Sequence, residues 1–113
     1  MAMKSKAYAY LRVSTFTQVD GKSLEGQLEE IKQYCKAFNI ELVRVYSDEG
    51  KSGKSIEGRP EFQRMLSDID SLQDIDYVIV WKLSRFGRNA CDSLNSLNYL
   101  QARGANLITL KEN

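Results

Sequence analysis

The sequence predicts a three-layer α/β domain, a mostly parallel sheet of four to five strands with helices on both faces. Three observations carry that expectation. Strand-like and helix-like patterns alternate three times and close on a strand, the order expected of parallel strands joined by helical crossovers. The run Tyr77 to Trp81, YVIVW, is apolar without interruption, as in a central strand covered on both faces. Finally, 113 residues suffice for one core and are too few for two, so 1–113 reads as one domain.

The elements follow in order. Ala7 to Val13 is an apolar strand that runs into Arg12 and Ser14, and Phe16 to Lys22, with the turn pair Asp20-Gly21, reads as a mobile loop. Ser23 suits the N-cap of a helix whose apolar face is Leu24, Leu28, Ile31, Cys35 and Phe38, with Asn39 as its stop. Ile40 to Tyr46, rich in β-branched and aromatic residues, is the second strand. Ser47 to Gly58, SDEGKSGKSIEG, has no apolar period and reads as a long mobile loop of the kind that often carries function. Arg59-Pro60 opens a second helix with Phe62, Met65, Leu66 and Ile69 inward, and Asp70 to Asp76 is its exit turn. After the central strand comes KLSRFGRN, then a helix with Ala90, Leu94, Leu97 and Leu100 inward. Gly104 follows its end as a left-handed cap, and Ala105 to Leu110 forms the last strand.

Composition narrows the chemistry. The formal charge of +1 neither demands nor excludes nucleic acid. No apolar run approaches a membrane span and the start lacks a signal-peptide pattern, so a cytoplasmic protein without a membrane partner is expected. Cys35 and Cys91 form no motif and read as core thiols. The absence of histidine removes Ser-His triads, Cys-His pairs and histidine-containing metal sites. No metal site and no cofactor is expected.

In a parallel sheet, ligands bind beyond the carboxyl ends of the strands. Arg12 and Ser14 end the first strand, the loop closing at Arg59 follows the second, and Ser84, Arg85 and Arg88 follow the third, so all meet at one edge. Side chains alternate along a strand, so Arg12 and Ser14 share a side if the extended geometry persists. From that stretch alone, the favoured reading is a surface arginine beside a serine that merely opens a loop. Four arginines arriving together, with no carboxylate in KLSRFGRN, point to an anion site, because guanidinium forks match phosphate oxygens. A phosphodiester held there has Ser14 as its natural attacker, through a covalent serine-phosphate ester. Gln27, one turn into the first helix, could bond a phosphate or hold an arginine; an exposed helical glutamine is the alternative. Lys51 and Lys54 suit backbone phosphates of DNA, or serve only solubility. Tyr8, Tyr10, Phe62 and Phe86 lack stacking periodicity and read as packing. Gly53-Lys54-Ser55 imitates the end of a P-loop, but position 48 is Asp48 where that motif needs glycine, and Arg59-Pro60 separates it from the helix.

Taken together, YLRVST from Tyr10 to Thr15, Gln18, SLEGQ ending at Gln27, DEGKSGKS through GRP at Arg59, and KLSRFGRN from Lys82 resemble the catalytic domain of serine site-specific recombinases, the resolvase and invertase family. The resemblance covers nearly the whole chain, and the GRP form is more similar to the large integrase-type members. It implies a resolvase-like catalytic domain in which Ser14 joins covalently to the DNA 5′ phosphate and frees a 3′ hydroxyl. Arg12, Arg59, Arg85 and Arg88 would bind the scissile phosphate, supported by Gln27. Gln18, Lys51, Lys54, Lys82 and Ser84 would contact substrate. The implied partners are double-stranded DNA and, in the full-length protein, a homodimer or tetramer. Many members carry aspartate where this chain has Ser84, and the family continues into a dimerisation helix and DNA-binding modules, so a truncated, mainly monomeric catalytic fragment is expected. Two other readings stand beside it: a flavodoxin-like domain binding a small phosphorylated ligand, and a regulatory or DNA-tethering module without catalysis.

Overall fold

The computed structural model describes residues 4–13, 23–49, 59–86 and 90–111. The elements are β1 (Ser5–Val13), α1 (Leu24–Ala37), β2 (Ile40–Glu49), α2 (Pro60–Leu72), β3 (Tyr77–Lys82), α3 (Leu83–Phe86), α4 (Ala90–Ala102) and β4 (Asn106–Lys111). The four strands form a parallel sheet in the order β2-β1-β3-β4. From β1 the chain first steps outward to β2 through α1, then returns across β1 to β3 through α2 and continues through α4 to β4. Crossovers of one hand must then place α1 on one face and α2 with α4 on the other.

The two faces are packed accordingly. Alternation along β1 sends Ala7, Ala9 and Leu11 toward Ile31 and Cys35 of α1, while Tyr8 and Tyr10 join Phe62, Met65 and Ile69 of α2 and Leu100 of α4. On that second face aromatic rings meet edge to face: Tyr8 with Tyr46 at 5.2 Å, Tyr10 with Phe62 at 4.9 Å and Phe62 with Phe86 at 5.5 Å between centroids. The four aromatics expected to pack do so, and Val78 to Trp81 of β3 are buried throughout.

Several local expectations shift. β2 continues through Glu49, so Ser47 to Glu49 are strand, because the β1 ladder extends the pairing to Val13↔Glu49. The remainder of that loop, 50–58, and the loop 16–22 lie outside the described residues. α2 runs on to Leu72, and its exit is the left-handed Gln73. Phe38 is 64% exposed just past the end of α1, where Asn39 turns the chain with φ 57°, and its ring meets that of Tyr34. On α4, Ala90 and Leu94 face outward; the inward stripe is Asp92, Ser96, Tyr99 and Leu100, with Leu97 half-buried. The reason is polar pairing with α2: Tyr99 Oη donates to the Leu66 carbonyl at 3.3 Å and Arg103 Nε to Asp70 at 2.8 Å. That same rotation leaves Cys91 exposed, while Cys35 is the core thiol expected. Gly104, at φ 82°, ends α4 as anticipated. Among the described residues no helix is long and apolar enough to cross a membrane.

Candidate active site

The site is the carboxyl edge of the sheet, and its geometry begins with register. Arg12 on β1 lies opposite Asp48 on β2, and Lys82 closes β3 on the same edge. α3 follows at once and carries Ser84 and Arg85 on its single turn. Arg59 stands immediately before α2. Arg12, Arg59, Ser84 and Arg85 thus stand at the edge assigned to them from sequence, with Lys82 beside them. Ser14, Gln18, Lys51, Lys54 and Arg88 lie outside the described residues.

Gln27 is fully buried, which excludes an exposed helical glutamine. Its Nε2 donates to the Arg12 backbone carbonyl at 3.1 Å, so it fastens the end of β1 to α1. It holds an arginine, though by the main chain. Lys82 places its ammonium 5.0 Å from the centre of the Trp81 ring, within cation–π reach.

Two carboxylates to which the sequence reading gave no role organise the edge from beneath. Asp48 is buried and accepts three hydrogen bonds: from Tyr10 Oη at 2.7 Å, and from the backbone N–H groups of Glu61 and Phe62, each at 3.0 Å. Those two N–H groups belong to the first turn of α2, so a strand residue caps this helix from a distance. Arg59, in the N-cap position, supplies no side-chain cap and has a left-handed backbone, φ 39°. A helix opening on Arg-Pro without a Ser, Thr, Asp or Asn cap is the signal from which a remote acceptor was inferable. Burial pushes the Tyr10 phenol far up, and its hydrogen bond to Asp48 pushes it further, so it remains a donor at any ordinary pH.

The second carboxylate is Asp92. Arg59 is 3% exposed; its Nη2 donates to Asp92 Oδ2 at 2.7 Å, its Nη1 donates to the Phe86 carbonyl, and its plane stacks 3.9 Å from the centre of the Phe62 ring. The arginine cluster expected without carboxylates thus has one member paired, by an acid on α4 just past the motif. Beside the pair a cavity of about 360 Å³ runs between α2 and α4 as far as Asp70, with Phe62, Leu66 and Tyr99 on its wall.

With this arrangement in view, similarity to known proteins is specific. The family model for the resolvase N-terminal domain matches residues 7–113. The transposon Tn552 DNA-invertase BinR of Staphylococcus aureus is 33% identical over 105 residues, covering 92% of this chain and 46% of the invertase. The Tn2501 resolvase of Escherichia coli is 34% identical over 96 residues, covering 85% of this chain and 45% of the resolvase. The chain therefore spans about half the length of these curated relatives. Among solved structures, a resolvase family site-specific recombinase from Streptococcus pneumoniae matches with TM-score 0.82 and 50% identity, covering 95% of this chain and 72% of that one. The N-terminal catalytic domain of TP901-1 integrase matches with TM-score 0.80 and 32% identity, covering 94% and 77%.

Proposed function

Because this chain belongs to the resolvase N-terminal domain family, we propose that it is the catalytic domain of a serine site-specific DNA recombinase. The observation that carries the reading is convergence at one edge: Arg12, Arg59 and the α3 turn bearing Arg85 meet there from three separate segments. A single surface arginine would not need that design. Its partner is double-stranded DNA, and the protein acts as a homodimer or tetramer, since strands from two duplexes must be cut together to be exchanged.

In the proposed reaction Ser14 Oγ attacks the scissile phosphorus, the P–O3′ bond breaks, and the 3′ oxygen leaves as a hydroxyl. The serine ends as an ester of the 5′ phosphate. Attack by the 3′ hydroxyl of the incoming strand reverses these steps, breaks the serine ester and returns the serine hydroxyl. One phosphate ester replaces another each time, so bond energy is conserved and no nucleotide triphosphate is consumed. Arg12, Arg59, Arg85 and Arg88 stabilise charge on the phosphoryl oxygens, each positioned donor contributing roughly 10²- to 10³-fold. Gln27 keeps the Arg12 backbone in place, Gln18 and Ser84 line the site, and Lys51, Lys54 and Lys82 engage neighbouring backbone phosphates.

The test is covalent capture. The full-length protein, incubated with sheared DNA of its source genome and quenched in denaturant, is expected to yield a protein–DNA adduct joined at a 5′ phosphate. Ser14→Ala should bind DNA and form none, and Arg85→Lys, which keeps charge but loses the fork, should lower the yield at least roughly tenfold. An adduct from the alanine variant would assign the attack to another residue.

A further inference from the structure

Arg59 is held differently from a side chain left free for a phosphate. Its two acceptors, the Phe86 carbonyl and Asp92 Oδ2, lie on α3 and α4, one on each side of the segment 87–91 that contains Arg88. One guanidinium therefore fastens both flanks of that segment to the start of α2. The stack on Phe62 and the aromatic contact of Phe62 with Phe86 fix the plane in which the fork lies. A main-chain carbonyl is present whatever residue stands at 86. The carboxylate at 92 depends on the residue chosen there, and its bond to a side chain only 4% exposed supplies the counter-charge that a buried guanidinium needs.

We infer that Asp92 is a positioning residue for phosphate binding: it orients Arg59 and, through Arg59, sets where α3 with Arg85 and the start of α4 stand relative to α2. The inference rests on the recombinase reading above. Asp92 touches no reacting atom; it acts by fixing a fork that must be aligned before a phosphate arrives, and small misplacements of such groups are costly to rate. It also offsets one positive charge beneath the edge. Its loss therefore moves two quantities in opposite directions: cleavage falls with alignment, while sequence-indifferent DNA binding, governed by net positive charge, holds or tightens. A residue needed only for folding lowers both together.

The experiment compares wild type, Asp92→Asn, Asp92→Glu and Asp70→Asn in the full-length protein. Asp70 is the control, an acid at the far end of the same cavity, bound to Arg103. Three quantities are read: the rate of covalent adduct formation with sheared source DNA, gel-shift affinity for a random-sequence duplex over a salt series, and thermal melting. Asp92→Asn should cleave roughly 10- to 100-fold more slowly than wild type while binding the random duplex at least as tightly. Asp92→Glu, which keeps the charge on a longer arm, should fall between, and Asp70→Asn should cleave like wild type. The inference is overturned if Asp92→Asn cleaves at the wild-type rate, or if its cleavage and random-duplex binding fall together in step with its melting temperature. If Asp92→Asn does not fold, Asp92→Glu decides: slowed cleavage with unchanged duplex binding supports the inference, and wild-type cleavage overturns it. Absence of any adduct from wild type instead removes the recombinase reading itself, and the inference with it.

Discussion

Helices α1 and α2 face the same problem at their N-termini and solve it in opposite ways. α1 is capped by its immediate neighbour: Ser23 Oγ accepts from the Gly26 N–H at 3.1 Å, in solvent, within one turn. α2 is capped by Asp48, which stands on β2 and is separated from the helix in sequence by more than ten residues. The local cap closes a hydrogen bond within the first turn of one helix. The remote cap joins β2, β1 through Tyr10, and α2 in one buried knot, directly beneath the edge where Arg12 and Arg59 meet. Distance in sequence is thus converted into rigidity at the site.

Removing the remote cap should have the largest effect. Asp48→Ala orphans two backbone N–H groups and the Tyr10 hydroxyl in a buried place, so unfolding free energy should drop by about 2–4 kcal/mol in urea titration. A drop no larger than that of Ser23→Ala would erase the distinction between the two caps.

Tyr10→Phe removes one of the three donors and should cost about 1–2 kcal/mol at neutral pH. Its pH dependence is the sharper measurement. Burial, then the bond to Asp48, raises the folded-state phenol above its ordinary value, so the neutral form is favoured by folding. Stability from this group is complete below the unfolded value of about 10 and is lost as pH rises beyond it. Tyr46, raised by burial and then by its hydrogen bond to Asp68, contributes in the same sense. Wild type should therefore be insensitive to pH in this respect up to about 10 and lose stability above it, and Tyr10→Phe should lose less. Equal alkaline slopes in the two proteins would remove Tyr10 from the knot.

The local cap should matter less. Ser23→Ala deletes one solvent-exposed hydrogen bond, and a loss of about 1 kcal/mol is expected, with hydrogen exchange accelerated only in the first turn of α1. Acceleration spreading into β1 or β2 would show that this cap also is coupled to the sheet.

The smallest perturbation compares the faces by their thiols. Cys35 is buried on the inner face of α1 and burial raises its thiol above the ordinary range, whereas Cys91 is exposed on α4. A thiol reagent should modify Cys91 at once and Cys35 only on unfolding, with no change in melting temperature after the first modification. Simultaneous labelling would mean that the α1 layer opens as readily as the surface.

What the sequence by itself determined is the part of the structure written in neighbouring residues. Strand and helix periods, the Ser23 cap, Pro60 in the first turn of α2 and the left-handed Gly104 are all local, and their order was enough for a parallel sheet and a common carboxyl edge. The spacing of the arginine motifs was legible for the same reason. The tertiary structure alone decided which polar groups are buried. Apolar periodicity put Ala90 and Leu94 on the inner face of α4, but Asp92, Ser96 and Tyr99 lie there, because Arg59 and the Leu66 carbonyl offer partners that make polar burial tolerable. Asp48 read as the second residue of a loop until Tyr10 and the uncapped start of α2 were brought against it. Gln27 was ambiguous for the same reason, its burial depending on a carbonyl fifteen residues away. A polar side chain is inside only when a distant segment satisfies it, and that pairing is a property of three-dimensional approach which no one-dimensional pattern records.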